Sequence, residues 1–170
     1  YFDRWRFDYR LYRPILRYAR DAHIPIVALN APAELTGKIG QAGLAGLSAA
    51  ERARLPGEFS PAGEAYRARV REAFDAHPHR QQAFDHFFEV MQTWDETMAR
   101  SVADHLGAHP GRRMVVLAGS GHVMYGDGIP DRVERRTGIR GTRLLVGAEH
   151  AGVPEVADFI VLSAEQGAAE

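Results

Sequence analysis

The stretch RMVVLAGSGHVMYGDGIPDRVERR (residues 113–136) decides the fold. Its apolar run, RMVVLAG (113–119), ends among four glycines that surround one histidine and one tyrosine. A near-continuous apolar run suits a parallel strand covered on both faces better than an alternating, half-exposed one. GIPDRVERR then opens a helix at or near Pro130, whose fixed φ suits a first-turn position. Strand, loop and helix in this order form the repeating step of an open α/β sheet, whose ligands bind outside the carboxyl ends of strands. The loop therefore lies where chemistry is expected.

Three further runs read as buried strands: IPIVALN (24–30), RLLVGAE (143–149) and FIVLSA (159–164). Together the four predict an α/β fold with a mostly parallel sheet flanked by helices. The gap between the first two strands is far longer than the dozen or so residues of a crossover. It holds PAELTGKIGQAGLAGL (32–47), SAAERARL (48–55) with Ser48 and Glu51 at capping-box spacing, and EAYRARVREAFDAH (64–77), ended by Pro78. The loop PGEFSPAG (56–63) separates the last two. These predict a small helical cap, residues 31–79, inserted in a single α/β domain over residues 1–166, with a frayed tail at 167–170.

An opening helix is expected from about Asp8 to Ala22, with Tyr12, Ile15, Leu16 and Ala19 near one face. Arg10, Arg13, Arg17 and Arg20 fall on another face, read as solvated even though interleaved arginine and aromatic residues can mark RNA binding.

With 170 residues, 45% of them hydrophobic, the chain suits one domain with a sizeable core. The net charge of −1 argues against a generally polyanion-binding surface, so no nucleic-acid partner is expected. The lack of cysteine excludes disulfides and thiolate metal sites. No apolar run approaches the roughly 20 residues of a membrane span. The chain starts at Tyr1 inside amphipathic sequence and shows no signal peptide, so an upstream segment able to carry an export signal or anchor is expected.

The clearest helix is RQQAFDHFFEVMQTWDETMARSVADHLG (80–107). Phe84, Phe88, Met91, Met98, Val102 and Leu106 form its apolar stripe, and Asp95 projects from the middle of it. A carboxylate there needs hydrogen bonds or a cation. Two readings are open: Asp95 pins the helix to a neighbouring loop, or it belongs to a site. Gln92 flanks it one turn earlier.

In the loop, Gly119, Gly121, Gly126 and Gly128 permit positive φ and close backbone approach. Gly119 and Gly121 match a dinucleotide fingerprint, but its last glycine is replaced by Met124, and no lysine follows for a phosphate loop. His122 is either a hydrogen-bonded structural residue or a ligand. His77 and His79 follow a helix end, and Tyr66 and Tyr125 are ordinary amphipathic residues unless a cation lies close.

Three segments carry a resemblance. ALNAPAEL (28–35), QTWDETMA (92–99) and GSGHVMYGDGIPDR (119–132), in this order and spacing, resemble the ChaN-like haem-binding uptake proteins. That family belongs to a superfamily with the Tiki proteases, TraB and the erythromycin esterases. The opening YFDRWRFDYRLYRPILRYARD (1–21) fits the family's aromatic helix before its "LN.P" strand. The "GE.H" strand with which members usually begin, and the acidic strand after it, have no counterpart. The chain thus resembles roughly the last two thirds of the family domain.

The resemblance implies an α/β domain with a helical cap, and ferric haem held near a homodimer interface. It implies an axial tyrosine, supported by a histidine from the second copy. A phenolate is a hard anionic ligand suited to Fe(III). The candidates are Tyr66, favoured because a cap residue can face both sheet and second subunit, and Tyr125. His122 matches the superfamily's "G..H" position, His77 is a weaker cap candidate, and Asp95 matches the acid of "WDE.MA". Gln92, Gly119 and Gly121 would support the site. A cell-envelope location, periplasmic or membrane-anchored, is expected by the same resemblance. The rival reading is a divalent-metal-dependent hydrolase of the Tiki or esterase type using His122 and Asp95. A third is a scaffold domain whose loop only turns the chain.

Overall fold

The computed structural model describes residues 8–76 and 83–162. Its helices are α1 (Tyr9–Asp21), α2 (Ala33–Ala42), α3 (Ala49–Arg52), α4 (Glu64–Asp75), α5 (Phe84–Ala108) and α6 (Ile129–Thr137), and its strands are β1 (Leu144–Val146) and β2 (Phe159–Val161). His77, His79 and residues 163–164 of the fourth apolar run lie outside the described residues.

The longest apolar periodicity in the sequence becomes the longest helix, the 25-residue α5, and three groups of partners bury it in succession. Its first turns pack Phe84, Phe87 and Phe88 on Tyr66 and Val70 of α4. Val90 joins Leu35, Ile39 and Leu55 from the α2–α3 region. Met98, Ala99 and Val102 meet Ile129 and Val133 of α6, with Leu29, Met114, Val116 and Ala118 against them. Partners on several sides explain why Phe87, Val90 and Ala99 are buried beyond the single expected stripe, and why Met91 and Leu106 are only half-buried.

Local signals at the starts of α2 and α3 hold. Ser48 and Glu51 form the reciprocal capping box that starts α3. Pro32 stands at the N-cap of α2. Glu89 of α5 accepts the Leu44 N–H at 2.6 Å, fixing the α2–α3 turn to the spine.

The sheet is smaller than expected. Among the described residues only β1 and β2 form a ladder, parallel, with Leu144 opposite Phe159 and Val146 opposite Val161. The fold is mixed α/β, but a mostly parallel sheet of four strands is corrected to this two-stranded one. Arg143 clamps it, its guanidinium and N–H both bound to Asp158, which lowers that carboxyl to about 2.

The other two apolar runs are extended without a ladder. In 113–119 the side chains alternate: Met114, Val116 and Ala118 turn toward α5 and α6, whereas Val115 is 86% exposed. In 24–30 only Leu29 is half-buried, its carbonyl accepting from Ser101 Oγ at 3.1 Å. A continuous apolar run does not reveal whether a neighbour covers its second face. Here helices cover one face, and no described strand takes the backbone groups.

α1 also differs from expectation. Ala19 is buried and Tyr12 and Leu16 half-buried, as expected, but Ile15 faces outward with Leu11 and Tyr18.

Candidate functional site

The centre of the molecule is a polar cluster on the apolar spine. Adjacent Asp95 and Glu96 are both shut off from solvent, and α5 aims them at different partners. Asp95 Oδ2 accepts the Tyr66 hydroxyl hydrogen at 2.7 Å, and its Oδ1 lies 2.6 Å from His122 Nδ1. An ionised carboxylate only accepts, so the proton between it and the imidazole belongs to Nδ1; in the neutral form of the ring the lone pair is then on Nε2. No hydrogen bond engages Nε2 among the described residues. Trp94 meets the His122 ring edge-on, with centroids 6.0 Å apart.

Glu96 accepts from the Ser60 N–H at 2.7 Å, Arg132 Nε at 3.0 Å and an Arg136 amino group at 2.5 Å. Burial alone would raise its pKa. The Arg136 and Ser60 hydrogen bonds and the charge of Arg132 outweigh burial and hold the carboxyl below its ordinary range. Arg132 is 1% exposed and also donates to the Asp127 and Gly128 carbonyls at 2.6 and 2.8 Å. Its guanidinium lies 4.9 Å from the Tyr66 ring centre and 3.9 Å from Asp95 Oδ2. One arginine thus ties together both carboxylates, Tyr66 of α4 and the glycine loop.

The loop itself is two 3-10 turns, Ser120–His122 and Met124–Gly126. Gly128 passes so close to His122 that an added Cβ would overlap the His122 carbonyl oxygen and lie 3.2 Å from its Cα. Tyr125 holds a left-handed backbone (φ 59°), with its N–H bound to the Val156 carbonyl at 2.8 Å. Non-glycine residues reach this region at a cost of order 1–3 kcal/mol. The Tyr125 ring is 40% exposed and carries the Arg69 guanidinium 4.6 Å above its centre, itself paired to Asp127.

Beside Tyr125 opens a cleft of about 720 Å³ between the Pro61–Gly63 loop, the start of α6 and the loops leading into β1 and β2. That volume lies within the roughly 300–1,000 Å³ of small-molecule sites, but the walls are largely charged, with Asp127, Asp131, Arg140 and Arg143 among them, where such sites are mostly apolar.

The structure therefore joins Tyr66, Asp95 and His122 in one hydrogen-bonded chain and sets Tyr125 apart on the cleft, of which His122 is not a wall. Gln92 is half-buried and bonds to none of these side chains. Gly119 sits against the His122 ring, 3.7 Å from where its Cβ would stand, and Gly121 has open space. His77 lies outside the described residues. Among the described residues, no three His, Asp or Glu side chains are grouped to hold a metal ion. The divalent-metal hydrolase built on His122 and Asp95 finds no third ligand there.

The family model described as "Haem-binding uptake, Tiki superfamily, ChaN" matches residues 1–133. The chain belongs to this family. The matched stretch takes in Tyr66, Asp95, Glu96, His122, Tyr125 and Arg132, and ends inside α6, so the β1–β2 pair lies beyond it. No curated protein and no solved structure matches the chain. For a haem-binding uptake family the donor set fits: a phenol exposed on a cleft, and an imidazole whose second nitrogen is free.

Sequence reasoning missed Glu96 and Arg132 as a unit. The signal was present in α6: Ile129, Arg132, Val133 and Arg136 recur at i, i+3, i+4 and i+7, so two arginines share the face that carries the apolar contacts.

Proposed function

We propose that this ChaN-family chain takes part in iron or haem uptake at the cell envelope. It binds ferric haem with Tyr125 as the axial phenolate and His122 as the supporting imidazole, near the contact of two copies in a homodimer. The observation that carries this reading is the contrast between the two tyrosines. The Tyr66 hydroxyl is committed to Asp95, and burial, followed by the Asp95 charge, drives its pKa well above the ordinary phenol value. The Tyr125 hydroxyl makes no hydrogen bond among the described residues and borders the cleft. Tyr125 therefore replaces Tyr66 as the favoured ligand.

When bound, ferric iron supplies the Lewis acid that a phenolate matches. The remaining work is the chain's own. Asp95 fixes the tautomer and tilt of His122, Tyr66 occupies the other Asp95 oxygen, and Arg132 with Glu96 locks the loop that carries both candidate ligands. Carboxylate-braced imidazoles are the usual arrangement behind ligating histidines.

Titrating the protein with ferric haem tests the reading. Saturable binding with a high-spin ferric spectrum is expected, and a Soret band that never saturates would overturn it.

A further inference from the structure

α4 commits one of its arginines to the glycine loop. Arg67 and Arg71 lie over phenylalanine rings of α5, whereas Arg69, one turn after Tyr66, reaches across to Tyr125. Its guanidinium stands 4.6 Å from the centre of the Tyr125 ring and pairs with Asp127, two residues further along the same loop. The two charged side chains are 23% and 31% exposed, so solvent screens their charges only in part. Arg69 is not a wall of the cleft that Tyr125 borders, so it holds the ring without filling the space a ligand needs. Other charges around the cleft are committed elsewhere: Asp131 to Arg135, Arg132 to Glu96, and Arg143 to Asp158. Among the described residues, no second cation stands over the Tyr125 ring. That ring is 40% exposed on a left-handed backbone, so packing alone does not fix where its hydroxyl points.

We infer that Arg69 is the positioning residue for Tyr125: it stacks the phenol ring in place, and its charge, opposed by Asp127, tunes the phenol oxygen as a donor to iron. This rests on the reading of Tyr125 as the haem ligand. A guanidinium on the face of an aromatic ring is attracted to its π electrons, and more so when the ring carries the negative charge of a phenolate. The same charge holds those electrons more tightly, so their transfer to iron takes more energy with Arg69 in place. Asp127 acts in the opposite sense. A pair that merely pinned α4 to the loop would suffer alike from the loss of either partner. The sign of the response therefore separates the two roles.

Ferric haem spectra of Arg69→Gln, Arg69→Lys and Asp127→Asn beside the wild type test it, with circular dichroism reporting the same fold in each. Arg69→Gln should move the tyrosinate-to-iron charge-transfer band to longer wavelength. It should also weaken haem binding about three- to tenfold, the worth of one cation–π contact. Asp127→Asn should move the band to shorter wavelength. Arg69→Lys, which keeps the charge, should leave it nearer the wild-type position. A band that shifts the same way in Arg69→Gln and Asp127→Asn, or in neither, would overturn the inference and leave haem binding by Tyr125 standing. A wild-type spectrum without the band would overturn the reading of Tyr125 as the ligand, and this inference with it.

Discussion

His122 Nδ1 lies 2.6 Å from Oδ1 of Asp95, a carboxylate with no solvent access in the middle of the longest helix. Gly128 allows the loop that carries His122 to fold tightly against the His122 backbone. The pair predicts that Asp95→Asn disturbs function without emptying the site. The amide has one acceptor and one donor, so Tyr66 must turn to accept from it or His122 must give up its Nδ1 proton, and in either case the charge that braces the imidazole is gone. Loss of such bracing behind a ligand costs about 10–100-fold in affinity. Haem titration of Asp95→Asn should show that loss, and an unchanged dissociation constant would mean His122 has no part in binding.

Glu96 predicts an acid limit to stability. Its folded pKa lies below the ordinary 4.5, so the unfolded chain binds the extra proton first as pH falls. The Glu96 contribution is therefore complete above about pH 4.5 and is lost as pH falls through the folded value. Urea midpoints measured across the acid range should fall more steeply for the wild type than for Glu96→Gln. At neutral pH that substitution leaves buried Arg132 with only the more distant Asp95 as a charge partner and should cost up to about 3–5 kcal/mol. A cost within error of zero would contradict the network.

Thr97 offers the opposite sign. Its Oγ1 is buried on α5 without a hydrogen-bond partner among the described residues. Thr97→Val keeps the shape and removes the unsatisfied hydroxyl, so it should stabilise the fold by about 1 kcal/mol. A destabilisation of similar size, read from the urea midpoint, would show that the hydroxyl has a partner.

Much of this arrangement was legible from residue spacing. Asp95 stood out because a carboxylate at i+4 from Met91 and i−3 from Met98 cannot avoid the apolar face. Ser48 and Glu51 announced a helix start through a purely local bond. The strand reading of 24–30 and 113–119 failed because ladders are nonlocal: apolar continuity specifies extended backbone, while pairing depends on a neighbour the run itself does not encode. Ile15 was misassigned for a related reason. A helix with two apolar stripes gives the same period whichever stripe is buried. Sequence favours Tyr66 over Tyr125 only by its position between sheet and second subunit, and cannot show the 2.7 Å bond that ties its hydroxyl to a carboxylate 29 residues away.

The central claim is that Tyr125, and not Tyr66, ligates ferric haem. The most direct measurement is the ferric haem spectrum of Tyr125→Phe beside that of Tyr66→Phe, each checked for folding by circular dichroism. Tyr125→Phe should lose the tyrosinate-to-iron charge-transfer band and bind at least about tenfold more weakly, by analogy with the cost of losing a single ligand-bracing group. Tyr66→Phe should keep that band and show only the stability cost of an unpaired Asp95 oxygen. Retention of the band in Tyr125→Phe, with its loss in Tyr66→Phe, would contradict the account.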